Sequence, residues 1–255
     1  MTTPITRRTA LAAIGTVSLG VLLEACSGDT TTSITSTAVA TSEGATATVQ
    51  PQSPVGTDLA AMFDGAATCT LSPEETEGPY YFDVDSIRTD ITEDRLGIPF
   101  RLGIRVQEAG ACTSIANAVV DIWHCDADGL YSGFEAASQG GPGGGRTDEE
   151  TYLRGAQVTN ADGIAEFRTV YPGWYAGRTV HIHTKVHLDS ATLLTSQLYF
   201  DDSLTDAVYA NEPYSANGQR TTTNDSDGIF DPALVLTLSG DGDGYLGLIT
   251  LGVDR

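Results

Sequence analysis

From residue 99 onward, apolar and polar positions alternate with a period of two along most of this chain. Phe100, Leu102, Ile104 and Val106 fall between Arg101, Gly103, Arg105 and Gln107. Such alternation turns one face of a strand to a core and the other to polar surroundings. The pattern returns at 164–170, after the turn Asn160-Ala161-Asp162-Gly163, and again at 179–188, 194–200, 234–238 and 246–251. Residues 118–125 form a compact apolar run of strand length. Turns rich in Gly, Asp and Asn separate these segments. No long 3.6-residue period appears beyond short turns near 58–63. The pattern predicts an all-β domain, an antiparallel β-sandwich of about eight strands with long loops and little helix. The glycine run 140–145 belongs to one of the long loops.

Apolar patterning starts near Leu59, so the folded domain is expected over residues 58–255. Upstream, Arg7 and Arg8 precede an apolar run at 10–23. That run is shorter than the roughly 20 residues a membrane-spanning helix needs. It predicts an export signal over residues 1–26, of the twin-arginine type. Leu23-Glu24-Ala25-Cys26 is similar to a lipoprotein cleavage box, which makes Cys26 the expected lipid anchor; the alternative is a plain secretory signal with an incidental cysteine. Either way the chain is expected outside the cell or on its surface. Residues 27–57 hold 14 Ser or Thr and no Lys, Arg or aromatic residue. Such a composition cannot bury enough apolar surface to offset ordering entropy, and predicts a flexible tether.

Formal charge is −21, from 13 basic and 34 acidic residues, and Lys185 is the single lysine. That charge repels nucleic acid and anionic membranes, which excludes them as partners. Cys69, Cys112 and Cys125 remain after export. They allow one disulfide and a free thiol, or three buried thiols; the pair stays open, with Cys112–Cys125 as a first guess. Three Asp-Gly-rich segments, at 126–129, 224–228 and 241–244, invite a calcium reading. Counting from Asp225 or Asp241 reaches Leu236 or Gly252 where an EF-hand needs Glu, so these are turns.

Candidate chemistry enters at 178–187. His181 and His183 flank Ile182 within an alternating run, so the two imidazoles share a face, roughly 6.5–7 Å apart at the backbone. Two of only four histidines stand there. His187 lies roughly 13 Å from His183 by strand rise, too far to share an ion. His124, beside Trp123, reads as a hydrogen-bonded structural residue. Tyr131 follows the turn after the 118–125 strand, and Tyr175 sits in a Pro-Gly turn six residues before His181. Two phenolates and two imidazoles form a hard anionic donor set, suited to Fe(III) rather than zinc. A phenol ligates at neutral pH only where the ion lowers its pKa sharply.

At this point the chain resembles the intradiol ring-cleavage dioxygenases, the group of catechol and protocatechuate dioxygenases. The likeness runs from about residue 69 to 200 and rests on several motifs in order. They are the segments 71–81 (LSPEETEGPYY), 121–132 (DIWHCDADGLYS), 154–159 (RGAQVT), 171–183 and 195–200 (TSQLYF). The resemblance implies a non-haem Fe(III) held by Tyr131, Tyr175, His181 and His183. By motif, Tyr131 is the tyrosine that stays bound and Tyr175 the axial one that substrate displaces. Arg178 matches an active-site arginine, and Gln197 a glutamine behind the ligands. Gly78, Pro79 and Tyr80 match a segment that touches the aromatic substrate. The implied reaction takes a small aromatic diol and O2, cleaves the ring between the hydroxyl-bearing carbons, and gives a cis,cis-muconate-type product. Neutral catechols are expected over carboxylated ones, because Arg178 is the one cation placed beside the iron. Arg146 and Arg154 are other cations that a loop could bring over the pocket.

Two rival readings stand beside this one. A non-catalytic β-sandwich binding module on a cell-surface lipoprotein explains the fold, tether and signal, but not six residues at motif positions. A copper or zinc enzyme could use the two histidines alone. The sequence leaves open a homodimer, and whether Tyr80 serves its own chain or a neighbour's.

Overall fold

The computed structural model describes residues 37–40, 46–49, 57–63, 69–84, 86–139 and 145–255. The export signal at 1–26, with Arg7, Arg8 and Cys26, lies outside the described residues, as do most of the expected tether and residues 140–144 of the glycine run. Within the stretch read as a tether, strands β1 (Thr37–Ala40) and β2 (Thr46–Val49) form a short antiparallel pair.

The domain is all-β in its main elements, with two four-stranded sheets. The first contains β3 (Pro99–Glu108), β6 (Ile164–Val170), β9 (Thr237–Asp241) and β10 (Gly244–Val253), in the order β6-β3-β10-β9. The second contains β4 (Val119–Trp123), β5 (Arg154–Val158), β7 (His181–Leu188) and β8 (Ala191–Tyr199), in the order β5-β4-β7-β8. One core joins them. Leu102, Ile104 and Phe167 from the first sheet cluster with Val120, Ile122, Ile182 and Leu198 from the second. Alternation supplies this: Val180, Ile182 and Val186 face the shared core, and His181, His183 and His187 face away.

Two expectations need correction. The sheets are not wholly antiparallel, since β3 and β10 run parallel from Phe100↔Tyr245 to Glu108↔Val253. A short turn would force antiparallel pairing, but most of the domain separates these two strands and removes that constraint. The disulfide joins Cys69 to Cys112, and Cys125 is the free, buried thiol. Cys125 cannot serve as partner because it lies at the end of β4 in an apolar cluster with Trp123, Tyr131 and Phe134.

Smaller differences have local causes. The strand expected at 234–238 begins later, because Asp231 caps a 3-10 turn at Pro232–Leu234 by accepting from the Ala233 amide. Helices α1 (Thr57–Met62), α2 (Glu135–Ser138) and α3 (Asp202–Tyr209) punctuate the loops. The last was not expected. Asp201 caps it through the Leu204 amide, and Thr205, Val208 and Tyr209 are buried. Residues 73–84 and 86–88 run along the face of the second sheet turned from the core, while Ser72 and Ile91 bond to β10 and β6 of the first. They bond to β8 through Glu75 N and Thr195 O, and to β5 through Ser86, Arg88 and Ala156.

Candidate active site

β7 opens on His181, and alternation puts His183 on the same face two residues on. The Thr179 carbonyl accepts from His181 Nδ1 at 2.6 Å. This fixes the proton there and leaves the Nε2 lone pair free. The ring of His183 is set by stacking instead. It lies 4.9 Å from Trp123, its cross-strand neighbour on β4, with 4° between the planes. The two Nε2 atoms stand 3.1 Å apart.

The tyrosines arrive on two loops that touch. After β4, the Asp126 carboxylate accepts from the amides of Asp128 and Leu130, closing the turn that presents Tyr131. Tyr175 sits between β6 and β7. A Cβ at Gly129 would lie 2.3 Å from the Trp174 carbonyl oxygen, and one at Gly173 would lie 2.3 Å from that of Asp126. Only glycine lets these backbones meet so closely. Tyr131 Oη lies 3.4 Å and Tyr175 Oη 3.1 Å from His181 Nε2. Four donor atoms thus converge on one point.

Burial and nearby charge keep all four donors neutral at that point. Burial, then the Arg178 charge, pushes the His181 imidazole down to about 3. Burial, then His181 and Arg178, holds His183 well below the usual range. Both rings are therefore neutral and carry lone pairs. Burial raises the phenol of Tyr131 well above its ordinary value, and that of Tyr175 as well, so neither ionises unaided. A hard trivalent cation would reverse this, because its charge lowers a ligand's pKa. Among the described residues no group of three or more His, Cys, Asp or Glu forms an alternative metal cluster. The Tyr/His donor set fits a hard ion.

The remaining sequence-predicted residues surround this point. Arg178 donates through Nε to Asp227 Oδ2 at 2.9 Å and through Nη2 to Gln197 Oε1 at 2.6 Å. Gln197, opposite His183 on β8, donates to the Thr76 carbonyl at 2.9 Å. Two residues on, Gly78 adopts a φ of +75°, and a Cβ there would lie 3.1 Å from His183 Cε1. Pro79 is exposed. The Tyr80 ring lies 4.8 Å from Tyr131 of its own chain and 5.4 Å from Phe134. Eight of the nine named residues lie in contact around this point, and Pro79, between Gly78 and Tyr80, faces solvent.

Of the other histidines, His124 is buried between the Cys125 carbonyl at 2.8 Å and Thr169 Oγ1 at 2.7 Å, a structural role as expected. His187 bonds to Thr192. Arg154 is no loop cation, but a residue of β5 fixed on Ser132.

Sequence reasoning missed two supports. Asp227 lies in a segment read only as a turn, yet it holds Arg178 and accepts from the Thr179 amide at 2.8 Å. Burial works to raise its carboxyl, but the amides of Thr179 and Ile229 and the Arg178 charge hold it below the usual range. Glu75 accepts from Tyr199 Oη, and burial pushes its carboxyl up to about 7. Both partners are remote in sequence, and only the 71–81 motif hinted at Glu75.

Comparison with known proteins agrees with this geometry. A family model described as Dioxygenase matches residues 76–215. An intradiol ring-cleavage dioxygenase from Tetranychus urticae is 34% identical, with a TM-score of 0.69, over 73% of this chain and 95% of that one. The dioxygenase domain of a carbohydrate-binding fusion protein from Streptomyces sp. SirexAA-E is 32% identical, with a TM-score of 0.54, over 72% of this chain and 98% of the other. Catechol 1,2-dioxygenase 1 of Acinetobacter lwoffii is 30% identical over 54% of this chain and 41% of its own length. For the chlorocatechol 1,2-dioxygenase of Pseudomonas putida the figures are 29%, 49% and 52%. The chain spans about half the length of the curated relatives it matches. The chain belongs to the intradiol ring-cleavage dioxygenases, a family that generally uses non-haem Fe(III).

Proposed function

We propose that this chain is a β-sandwich dioxygenase that uses non-haem Fe(III) and O2 to cleave catechol-type rings between the two hydroxyl-bearing carbons, giving cis,cis-muconate-type products. The observation that carries the reading is the convergence of Tyr131, Tyr175 and His183 donor atoms on His181 Nε2 within 3.1–3.4 Å. These four residues would hold the iron. When bound, iron supplies a Lewis-acid centre that chelates the diol and makes the ring reactive toward O2. Tyr175, half-buried on a loop, is suited to leave and to take a diol proton on Oη, whereas the fully buried Tyr131 stays. Arg178, fixed by Asp227 and Gln197, orients its charge toward the ring position and stabilises anionic character there. Tyr80 packs the ring against the site wall.

Purified protein loaded with ferric iron should be red-brown, hold about one iron per chain as one four-donor site implies, and consume O2 with catechol. Colourless protein that binds only zinc or copper, and stays inactive after iron loading, refutes the assignment.

Neutral catechols are the proposed substrates. Asp227 already neutralises Arg178, and Glu75 adds a second carboxyl nearby. A higher kcat/KM for protocatechuate than for catechol at low salt overturns this preference. Residues 1–26 are proposed to export the protein, with Cys26 as lipid anchor. Unchanged export after Arg7→Lys and Arg8→Lys argues for another route, and a Cys26→Ala variant that stays on membranes argues against the lipid.

A further inference from the structure

Arg154 is only 1% exposed and sits on β5, cross-strand from Trp123. Its Nε donates to Ser132 Oγ at 2.9 Å and its Nη2 to the Ser132 carbonyl at 2.8 Å. Its Nη1 is buried with no hydrogen-bond partner. Among the described residues no carboxylate forms an ion pair with it. Its surroundings are aromatic instead. The guanidinium carbon stands 4.4 Å from the Phe82 ring centroid, 5.7 Å from Phe134 and 6.0 Å from Tyr131. Phe82 also carries Arg146 at 4.1 Å, which adds positive charge. Asp121, the buried carboxyl on the neighbouring strand, is pushed up to about 7 by burial and Asp83 against the pull of Tyr81, Arg154 and Lys185, so it offsets the Arg154 charge only in part.

A buried charge without a counter-charge is among the least favourable arrangements in a protein. Besides Asp121, the group against Arg154 that can acquire negative charge and also belongs to the donor set is Tyr131, which would gain that charge on binding a metal. We infer that Arg154 is the built-in counter-cation of the Tyr131 phenolate. It is a positioning residue with two roles. The fork on Ser132 fixes the backbone next to Tyr131, and the charge stabilises the electrons of the ligand ring. The low surrounding polarity makes that charge act strongly over 6.0 Å. The inference rests on the iron reading above.

The test compares wild type, Arg154→Met and Arg154→Lys by the visible charge-transfer band of the ferric protein and by affinity for Ga(III), a redox-inert trivalent ion. Removing the cation raises the energy of the phenolate electrons. Arg154→Met should therefore move the band to longer wavelength and weaken Ga(III) roughly 10–100-fold, the usual range for residues behind a metal ligand. Arg154→Lys, which keeps the charge and loses the fork, should keep most of both. An unmoved band and affinity in Arg154→Met overturn this inference alone. So does an Arg154→Lys band shifted as far as that of Arg154→Met, because the clamp on Ser132 would then be the cause. Should Arg154→Met fail to fold, the lysine variant decides: a band near the wild-type position supports the counter-cation, and a lost or long-wavelength band overturns it. A wild-type chain that takes up neither ferric iron nor Ga(III) overturns the iron reading itself.

Discussion

The two sheets differ in how the polar residues on the faces turned from their shared core are partnered. On the sheet of β3 and β6, the half-buried Arg101 pairs with the buried Glu166 and lies 3.7 Å from Asp241, which reaches solvent. On the sheet of β4 and β7, Arg154, His183, Gln197, Asp121 and His187 are buried, at 0–7% exposure. The crossing segment, residues 73–84 and 86–88, covers that face from edge to edge. Buried polar groups must find partners or carry a penalty. Several here lack partners, among them His183 Nδ1, Trp123 Nε1 and Arg154 Nη1. The lesson is that this face is organised for chemistry rather than stability, and its stability losses should be decoupled from its activity losses.

The sharpest way to break that contrast is at the ligands. Tyr131→Phe should abolish most of the colour and lower kcat/KM by more than the roughly 10–100-fold typical of residues behind a ligand. Tyr175→Phe should keep part of the colour and slow catechol binding. Stopped-flow absorbance separates the two, and identical behaviour contradicts the division of roles. Next comes Asp227→Asn, which loosens Arg178 and Thr179 together. It should lower kcat/KM by roughly 10–100-fold while thermal unfolding changes little; a large loss of Tm with normal kinetics reverses the contrast.

Acidity sharpens it further. Burial raises Asp121 from 3.8 to about 7 and Glu75 from 4.5 to about 7. A group with a raised folded-state pKa favours the fold below its unfolded value, and that benefit is lost as pH rises through its folded value. These two carboxyls therefore pull Tm down between about pH 4.5 and 7, against the rise given by His124, His181, His183 and His187, whose lowered values favour the fold as the unfolded chain's imidazoles lose their protons. Asp121→Asn removes its share of that pull and should make the slope of Tm against pH more positive, which calorimetry across that window tests. The smallest effect on activity belongs to the sheet of β3 and β6, where Arg101→Ala takes an ion pair from the buried Glu166; it should cost roughly 1–3 kcal/mol of unfolding free energy and leave kcat/KM alone.

Much of the fold was legible because a period of two is a local signal. β6 was expected at 164–170 and spans Ile164–Val170. α3 escaped because eight residues are too short for a clear 3.6 period, although Asp201 and the Leu204–Val208 spacing were present. The parallel β3–β10 pair and the Cys69–Cys112 bond are contacts between distant segments, which periodicity does not encode. The site divides in the same way. The His181–His183 spacing was readable from strand geometry, while Tyr131 and Tyr175 were candidates only as hard donors on nearby turns and took their separate roles from the family's motifs. Asp227 and Arg154 act through residues far away in sequence and became visible only in three dimensions.

The β3–β10 pairing also has a consequence for how the molecule assembles. Every strand of the sheet that carries His181 and His183 lies in the chain between β3 and β10, so those two strands are a clasp closed around that half. Closing so long a loop costs entropy before any contact repays it, and topologies dominated by such pairings fold over roughly milliseconds to seconds. Nothing local can substitute for β10, which supplies the backbone partners of both β3 and β9. Folding is therefore expected to be a late, all-or-none closure, in which the strand that completes the supporting sheet also encloses the one that does the chemistry.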